Sequence, residues 1–508
     1  MPLRQTIDQD KPARRLRQMF KLGLAMATGL VLTGCPTVGS LQTARPPTAE
    51  KWFQRAKEDY RSADIDDAKD SVKRALAIVP NDPEVRTLAA RVALAELDYA
   101  ETLRLLKGLK GSTASGLRGR AYWYNGDLDA AADELDKLLE DPDVVDDWAK
   151  SITKLARQGA GRTPFALSGA LLAATELPHV NPYAPFFIVP VEIDGESALA
   201  MIATDSAEVA LDNKTRSEPS WISIRFGGKL EVRDVPALTQ DLSGISKQLG
   251  APIKALLGVN LLRHLHATLD YEGQQFVART FSPPQPPDAT RVNLSYIRGG
   301  GMILRGRFGG DKGEPVSLLL NTSMNFPLAL DEAGWKKAGL ATKDLRLVPE
   351  DPDQKLRVGV VSLVRIGAFD VPRVEGVFGP PIDQVEKQIA LDIDGIMGTG
   401  LLAPFRITFG DQGRMMWMED PTAPLARMLT TMQNRQPGLD EELPSGPGLP
   451  GMTDPLNPMG PGPALPGMEQ PAIRPPVAPP IGPGPGGDAV PPAPPPGGAK
   501  PQRNAPEH

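Results

Sequence analysis

The hydrophobic pattern changes character twice along the chain. From residue 46 to about 160, three segments of about 34 residues repeat a helix–turn–helix pattern. Small residues (Ala56, Ala68, Ala75, Ala90, Ala93, Gly119, Ala131) mark where paired helices approach, and larger ones (Trp52, Leu97, Tyr122, Leu135, Leu138) fill the layer between them. Pro80 and Pro142 end second helices, because proline removes a backbone donor and clashes with the preceding turn. From about 183 to 420 the period becomes two, with glycine-marked turns, which predicts antiparallel strands. After about Gln436 the chain is rich in proline and glycine. Such a segment has too little apolar surface to offset the entropy of ordering, which predicts disorder. A short helix is expected between, with Leu425, Met428, Leu429 and Met432 on one face.

The strand region is duplicated. Gly195-Glu196 opens a run to Ala203-Thr204-Asp205-Ser206, and Gly313-Glu314 opens one to Asn321-Thr322-Ser323-Met324. A second pair aligns without gaps: Ile253–Leu262 with Ile393–Leu402, then Ala267–Gly273 with Ile407–Gly413. Gly258/Gly398, Leu261/Leu401, Leu262/Leu402, Thr268/Thr408 and Gly273/Gly413 are identical. Between these motifs each half carries a strand–turn–strand segment, Trp221–Gly227 with Val232–Pro236 and Val361–Gly367 with Phe369–Pro372.

That order of motifs resembles bacterial retropepsin-like proteins of the acid-protease fold. Some other duplicated β-barrel is the alternative. The helical segments resemble tetratricopeptide repeats, with a generic stack of helical hairpins as the alternative. The first resemblance implies two lobes, each with an Asp-Thr-Gly or Asp-Ser-Gly triplet, whose facing carboxyls share a proton and activate water. Here the triplets start with Ala203 and Asn321. Alanine cannot take a proton, and an amide does not ionise at working pH. Eight residues separate Gly195 from Ala203 and Gly313 from Asn321, so these positions are equivalent. Sliding lobe 1 by two residues would make Asp205-Ser206-Ala207 a poor Asp-Ser-Gly, but it breaks the equal spacing and still leaves one carboxyl. Asp205 is therefore expected to be a solvated or capping residue. The resemblance implies that Thr204 and Thr322 hydrogen-bond between lobes, and that Asp205 and Ser323 stand where the family uses glycine.

Composition narrows the rest. The net charge is −6 and no stripe of Lys and Arg is evident, so nucleic acid is not an expected partner. The four histidines, His179, His264, His266 and His508, show no metal-ligand spacing; His264 and His266 would share one face of a strand. No cofactor or metal is expected. Gly299-Gly300-Gly301 lacks the Lys-Ser/Thr of a phosphate loop and reads as an interlobe hinge. The lone cysteine, Cys35, follows a basic segment and the apolar run Leu22–Leu32. That run is too short for an ordinary transmembrane helix and fits a signal peptide. Leu32-Thr33-Gly34-Cys35 resembles the bacterial lipobox, which implies acylation of Cys35; a buried free thiol after an ordinary signal is the alternative. Pro36 in place of Asp favours the outer membrane over the inner.

The fold class is therefore multidomain α + β. Its expected parts are a signal peptide (1–34), a linker (35–45), TPR-like helical repeats forming a solenoid (46–160), a linker (161–182), two lobes of a mainly-β acid-protease fold (183–290 and 291–420), a short helix (421–435) and a disordered tail (436–508). Solenoids commonly present a concave binding face; Trp123 and Tyr124 are candidates to line it, or to serve as core. The expected function is non-catalytic binding or scaffolding of peptide or protein partners in the bacterial cell envelope, with the membrane reached through lipid on Cys35. Two rivals stand beside it: an unorthodox aspartic peptidase using Asp205, and a purely structural envelope component.

Overall fold

The computed structural model describes residues 45–178, 180, 185–298, 300–349 and 355–422. Cys35, the expected signal peptide, the helix over 421–435 and the Pro/Gly-rich tail lie outside them, apart from the first residues of that helix range. Among the described residues no helix is long and apolar enough to cross a membrane.

Among the described residues seven helices come first: α1 (Pro47–Arg61), α2 (Ile65–Ile78), α3 (Pro83–Ala95), α4 (Tyr99–Leu106), α5 (Ser112–Asn125), α6 (Leu128–Leu139) and α7 (Asp147–Gln158). They form three successive hairpins and a closing helix. The starts are set chemically. Asp64, Asp82, Asp98, Asp127 and Asp146 each accept a backbone N–H from the first turn of the helix they precede, satisfying donors that have no partner inside the helix. Ala56, Ala68, Ala75 and Ala90 are fully buried, as expected for close helix approach. At Gly119 an added Cβ would lie 2.6 Å from Leu135, so glycine lets α5 meet α6.

Twenty strands follow among the described residues. The first ten are β1 (Ala166–Gly169), β2 (Leu172–Glu176), β3 (Ile188–Ile193), β4 (Glu196–Ala203), β5 (Val209–Asp212), β6 (Ser220–Phe226), β7 (Leu230–Gln240), β8 (Ile253–Gly258), β9 (Thr268–Asp270) and β10 (Gln275–Arg279). The second ten are β11 (Thr290–Ile297), β12 (Gly301–Phe308), β13 (Glu314–Asn321), β14 (Leu328–Leu330), β15 (Arg346–Leu347), β16 (Arg357–Ile366), β17 (Phe369–Phe378), β18 (Gly395–Gly398), β19 (Arg406–Gly410) and β20 (Met415–Glu419). The expected alternation is visible in β6, where Ile222, Ile224 and Phe226 are buried between more exposed neighbours. By contrast β8 and β18 lie between other strands and are buried almost throughout.

The two lobes repeat one topology. In lobe 1, β8 runs parallel to β4 and antiparallel to β5, and β5 runs parallel to β7. In lobe 2, β18 runs parallel to β13 and antiparallel to β14, and β14 runs parallel to β17. Strands from both halves then join in one antiparallel ladder ordered β11-β20-β19-β9-β10-β2. At its centre β9 pairs with β19, and the Thr268 and Thr408 hydroxyls meet at 2.8 Å.

The segment 161–182, expected to be a linker, carries β1 and β2. The first pairs with β7 of lobe 1, and the second adds an edge to the interlobe ladder beside β10. Both strands are short, and their partners lie some 60 to 100 positions away in sequence, so local pattern gives little sign of them.

The helices pack on both lobes. The α1–α2 corner meets lobe 2: Arg305 pairs with Asp64 at 2.6 Å, Ser317 Oγ donates to Ser62 O at 3.0 Å, and Asp392 N donates to Arg61 O at 2.6 Å. The other end meets lobe 1. There Trp221 Nε1 donates to Leu155 O at 2.9 Å, and an added Cβ at Gly159 would lie 2.4 Å from the Trp221 ring. Trp123 and Tyr124 are buried at this junction.

Candidate functional site

The site lies where β4 and β13 end. Ala203 pairs in register with Gly258 of β8, and Asn321 with Gly398 of β18. These are the positions matched by the equal spacing. The two glycines permit the turns to close. A Cβ at Gly258 would lie 2.2 Å from Glu208 O, and one at Gly398 would lie 2.1 Å from Phe326 O.

The next residue in each turn crosses between lobes. Thr204 N donates to Thr322 Oγ1 and Thr322 N donates to Thr204 Oγ1, each at 3.1 Å. Thr204 Oγ1 donates on to Leu320 O at 3.1 Å, and Thr322 Oγ1 to Ile202 O at 2.7 Å. Both threonines are 1% exposed. Each hydroxyl thus accepts one backbone N–H and donates to one carbonyl across a local two-fold arrangement. These hydrogen bonds join the ends of β4 and β13 through the two hydroxyls.

The groups beside them differ sharply. Ala203 is 1% exposed and packs with Met201, Ala210 and Leu256. Asn321 is half-buried; its Oδ1 accepts Ser323 N at 2.8 Å, and its Nδ2 donates to Asp205 Oδ2 at 3.1 Å. Asp205 is exposed at the surface, as expected of a solvated residue, but its carboxyl also accepts the Asn321 amide and lies among protein groups. That desolvation raises its pKa, while a backbone N–H of its own residue and the Ser323 and Asn321 side chains oppose the rise. All six residues singled out in the triplets lie together: Ala203, Thr204, Asp205, Asn321, Thr322 and Ser323.

The site thus offers one carboxyl, one amide and a hydroxyl. Two carboxyls sharing a proton are absent from these positions. Asp205 can accept hydrogen bonds when ionised and donate one when protonated, and Asn321 can do both at any ordinary pH. That chemistry suits recognition of backbone amides. It lacks the paired acid and base that peptide hydrolysis in an acid-protease site requires.

Several other expectations are revised. His264 ends the short helix Val259–His264, and His266 follows in a turn with a φ of 39°, so they do not share a strand face. His264 Nδ1 lies 2.6 Å from Asn260 O and its ring stacks on Phe165 with centroids 4.4 Å apart; burial lowers its pKa to about 4. Among the described residues no group of three or more His, Cys, Asp or Glu is placed to hold a metal ion. His179 and His508 lie outside the described residues. Gly300 lies in the turn between β11 and β12 and Gly301 opens β12 opposite Ile297, so these two glycines belong to a hairpin and not to an interlobe hinge; Gly299 lies outside the described residues. That turn reaches the site: Met302 N donates to Thr204 O at 3.2 Å.

One buried acid escaped the sequence reading. Glu208, 6% exposed, accepts from Trp123 Nε1 at 3.3 Å and Tyr124 OH at 3.4 Å. Burial raises its pKa, against hydrogen bonds from Trp148, Trp123 and Tyr124 and the attraction of Arg120. The same helices hold the β11–β12 turn, where Arg120 Nη1 donates to Arg298 O at 3.2 Å. Trp123 and Tyr124 thus cap this chain's own strand domain. A carboxylate in a strand-to-strand turn gives no periodic signal, and its partners lie 84 and 85 positions away.

No family model matches the chain, and no curated protein matches it. Many solved structures are similar over parts of it. One is a retropepsin-like aspartic protease from Rickettsia conorii, at 16% identity and a TM-score of 0.20, covering 26% of this chain and 90% of that one. Another is the first TPR of Spaghetti (RPAP3) bound to an HSP90 peptide, at 19% identity and a TM-score of 0.19, covering 22% of this chain and 93% of that one.

Proposed function

We propose that this chain is a non-catalytic cell-envelope protein that binds an extended peptide or protein segment between the lobes of a degenerate acid-protease fold. TPR-like helices serve as its rigid support. One observation carries the reading. The threonine pair that joins the lobes is intact, whereas the positions that should hold two carboxyls hold Ala203 and Asn321. Asp205 and Asn321 then present acceptors and donors to a peptide backbone, and binding by strand addition does not need the dyad. In the same reading Cys35 carries lipid that anchors the protein, with the outer membrane favoured.

The Asp205 carboxyl, held beside Asn321 with Nδ2 to Oδ2 at 3.1 Å, supports a second reading, an unorthodox peptidase in which this single carboxyl acts as acid. Hydrogen exchange on the purified protein, with and without a pool of extended peptides, separates the outcomes. Protection of 202–206 and 320–324 with intact peptides supports binding. Cleavage that vanishes in Asp205→Ala supports the peptidase. No protection and no cleavage would leave the lobes a structural wall and overturn both. Cys35→Ala should release the protein from detergent-partitioning membranes; an unchanged, processed mutant would contradict the anchor.

A further inference from the structure

We infer that a cavity between the helices and lobe 1 binds a small carboxylate carrying an apolar or aromatic body, held by the charge of Arg263. This site is separate from the Asp205–Asn321 cleft and does not depend on how that cleft works.

Arg263 is a buried cation with no carboxylate partner among the described residues. Arg263 is 7% exposed. Guanidinium does not lose its proton in proteins, so the positive charge persists on burial. Buried charges are ordinarily paired, because desolvation is costly. Among the described residues Arg263 forms no ion pair with a carboxylate. Its partners are neutral: Nη1 donates to Tyr99 OH, and Nη2 donates to Tyr124 O at 3.2 Å. The Tyr99 and Tyr124 rings lie 5.6 and 6.0 Å from its Cζ and offer cation–π attraction. Its Nε is buried with no acceptor. The surroundings therefore hold the side chain in place without neutralising it.

Arg263 forms part of the wall of a cavity of about 260 Å³. The remaining walls supply the second half of the inference. Trp123, Tyr124, Phe165 and His264 give flat apolar surface, and Arg162 adds a second guanidinium, itself paired with Asp234 at 2.6 Å. No Asp or Glu lines this cavity. His264 stays neutral above about pH 4, so it adds surface and not charge. One uncompensated guanidinium, aromatic walls and no acid among the cavity-lining residues select a negatively charged group on a flat or apolar body. A carboxylate seated there supplies the charge that Arg263 lacks.

The test uses the full chain in calorimetric titrations with N-acetyl-L-phenylalanine and its uncharged amide. The acid should bind about tenfold or more tightly than the amide, the scale of a charge-assisted contact. Arg263→Met should abolish that preference. Because this substitution also empties a buried position, a second variant is needed: Thr163→Trp fills the cavity from its exposed rim without touching Arg263, and should block the acid. Asp205→Ala should leave the titration unchanged. Equal binding of acid and amide to the wild-type chain, or an acid preference that survives both Arg263→Met and Thr163→Trp, would overturn the proposal.

Discussion

Thr204 and Thr322 are the residues whose chemistry can be tested most simply. Each hydroxyl accepts a buried backbone N–H, so removing one leaves a buried donor unpaired. Thr204→Val keeps the shape and loses the hydroxyl. It should cost about 1–3 kcal/mol of stability by chemical denaturation, the usual penalty for an unsatisfied buried group. Thr204→Ser should recover most of it, because the oxygen is what matters; equal losses in both variants would contradict the hydroxyl role. Glu208 gives a pH test. Burial raises its folded pKa above the unfolded value, so the folded state prefers the protonated form. Its contribution to stability is therefore fully present below the ordinary glutamate pKa and is lost as pH rises through the folded value. Relative to Glu208→Gln, the wild-type melting temperature should fall as pH rises from acid toward neutral. A constant difference across that range would show that Glu208 does not titrate between the two states.

At the scale of elements, much of the β region was legible because duplication doubles every signal. The equal spacing from Gly195 to Ala203 and from Gly313 to Asn321 set the register that β4/β8 and β13/β18 adopt. Thr268 and Thr408, matched only as identical letters, turn out to touch across the interlobe ladder. Gly258 and Gly398 are identical for a steric reason: each sits against a carbonyl of the turn that follows the site strand. Gly258→Ala should therefore destabilise by about 1–3 kcal/mol through overpacking of backbone that cannot swing away. Gly126→Ala, in open space but at a φ of 82°, tests backbone strain instead and should leave the interlobe contacts unchanged. What sequence missed at this scale were β1 and β2 and the nature of the glycine run. Short edge strands and hairpin turns are fixed by distant partners, and local propensity does not encode them.

For the whole molecule, the least legible feature was the docking of helices onto strands. Trp123 and Tyr124 stood as candidates for an open binding face or for core; they are buried against Glu208 and the end of β11. Nothing in the helical period says which partner covers a helix face, because the partner is a turn more than eighty residues later. The consequence is mechanical. Contacts at Asp64–Arg305 on lobe 2 and at Trp221–Leu155 on lobe 1 tie both lobes to one helical body, which opposes hinge motion between them. Such a body would suit the proposed binding of a peptide segment. The central claim of that proposal is a site without the paired carboxyls that peptide hydrolysis needs. The most direct measurement is mass-spectrometric assay of the purified chain against a diverse peptide library from acidic to neutral pH, with Asp205→Ala alongside. The account predicts no cleavage by either protein at any pH. Sequence-selective cleavage by the wild-type chain that disappears in Asp205→Ala would contradict it.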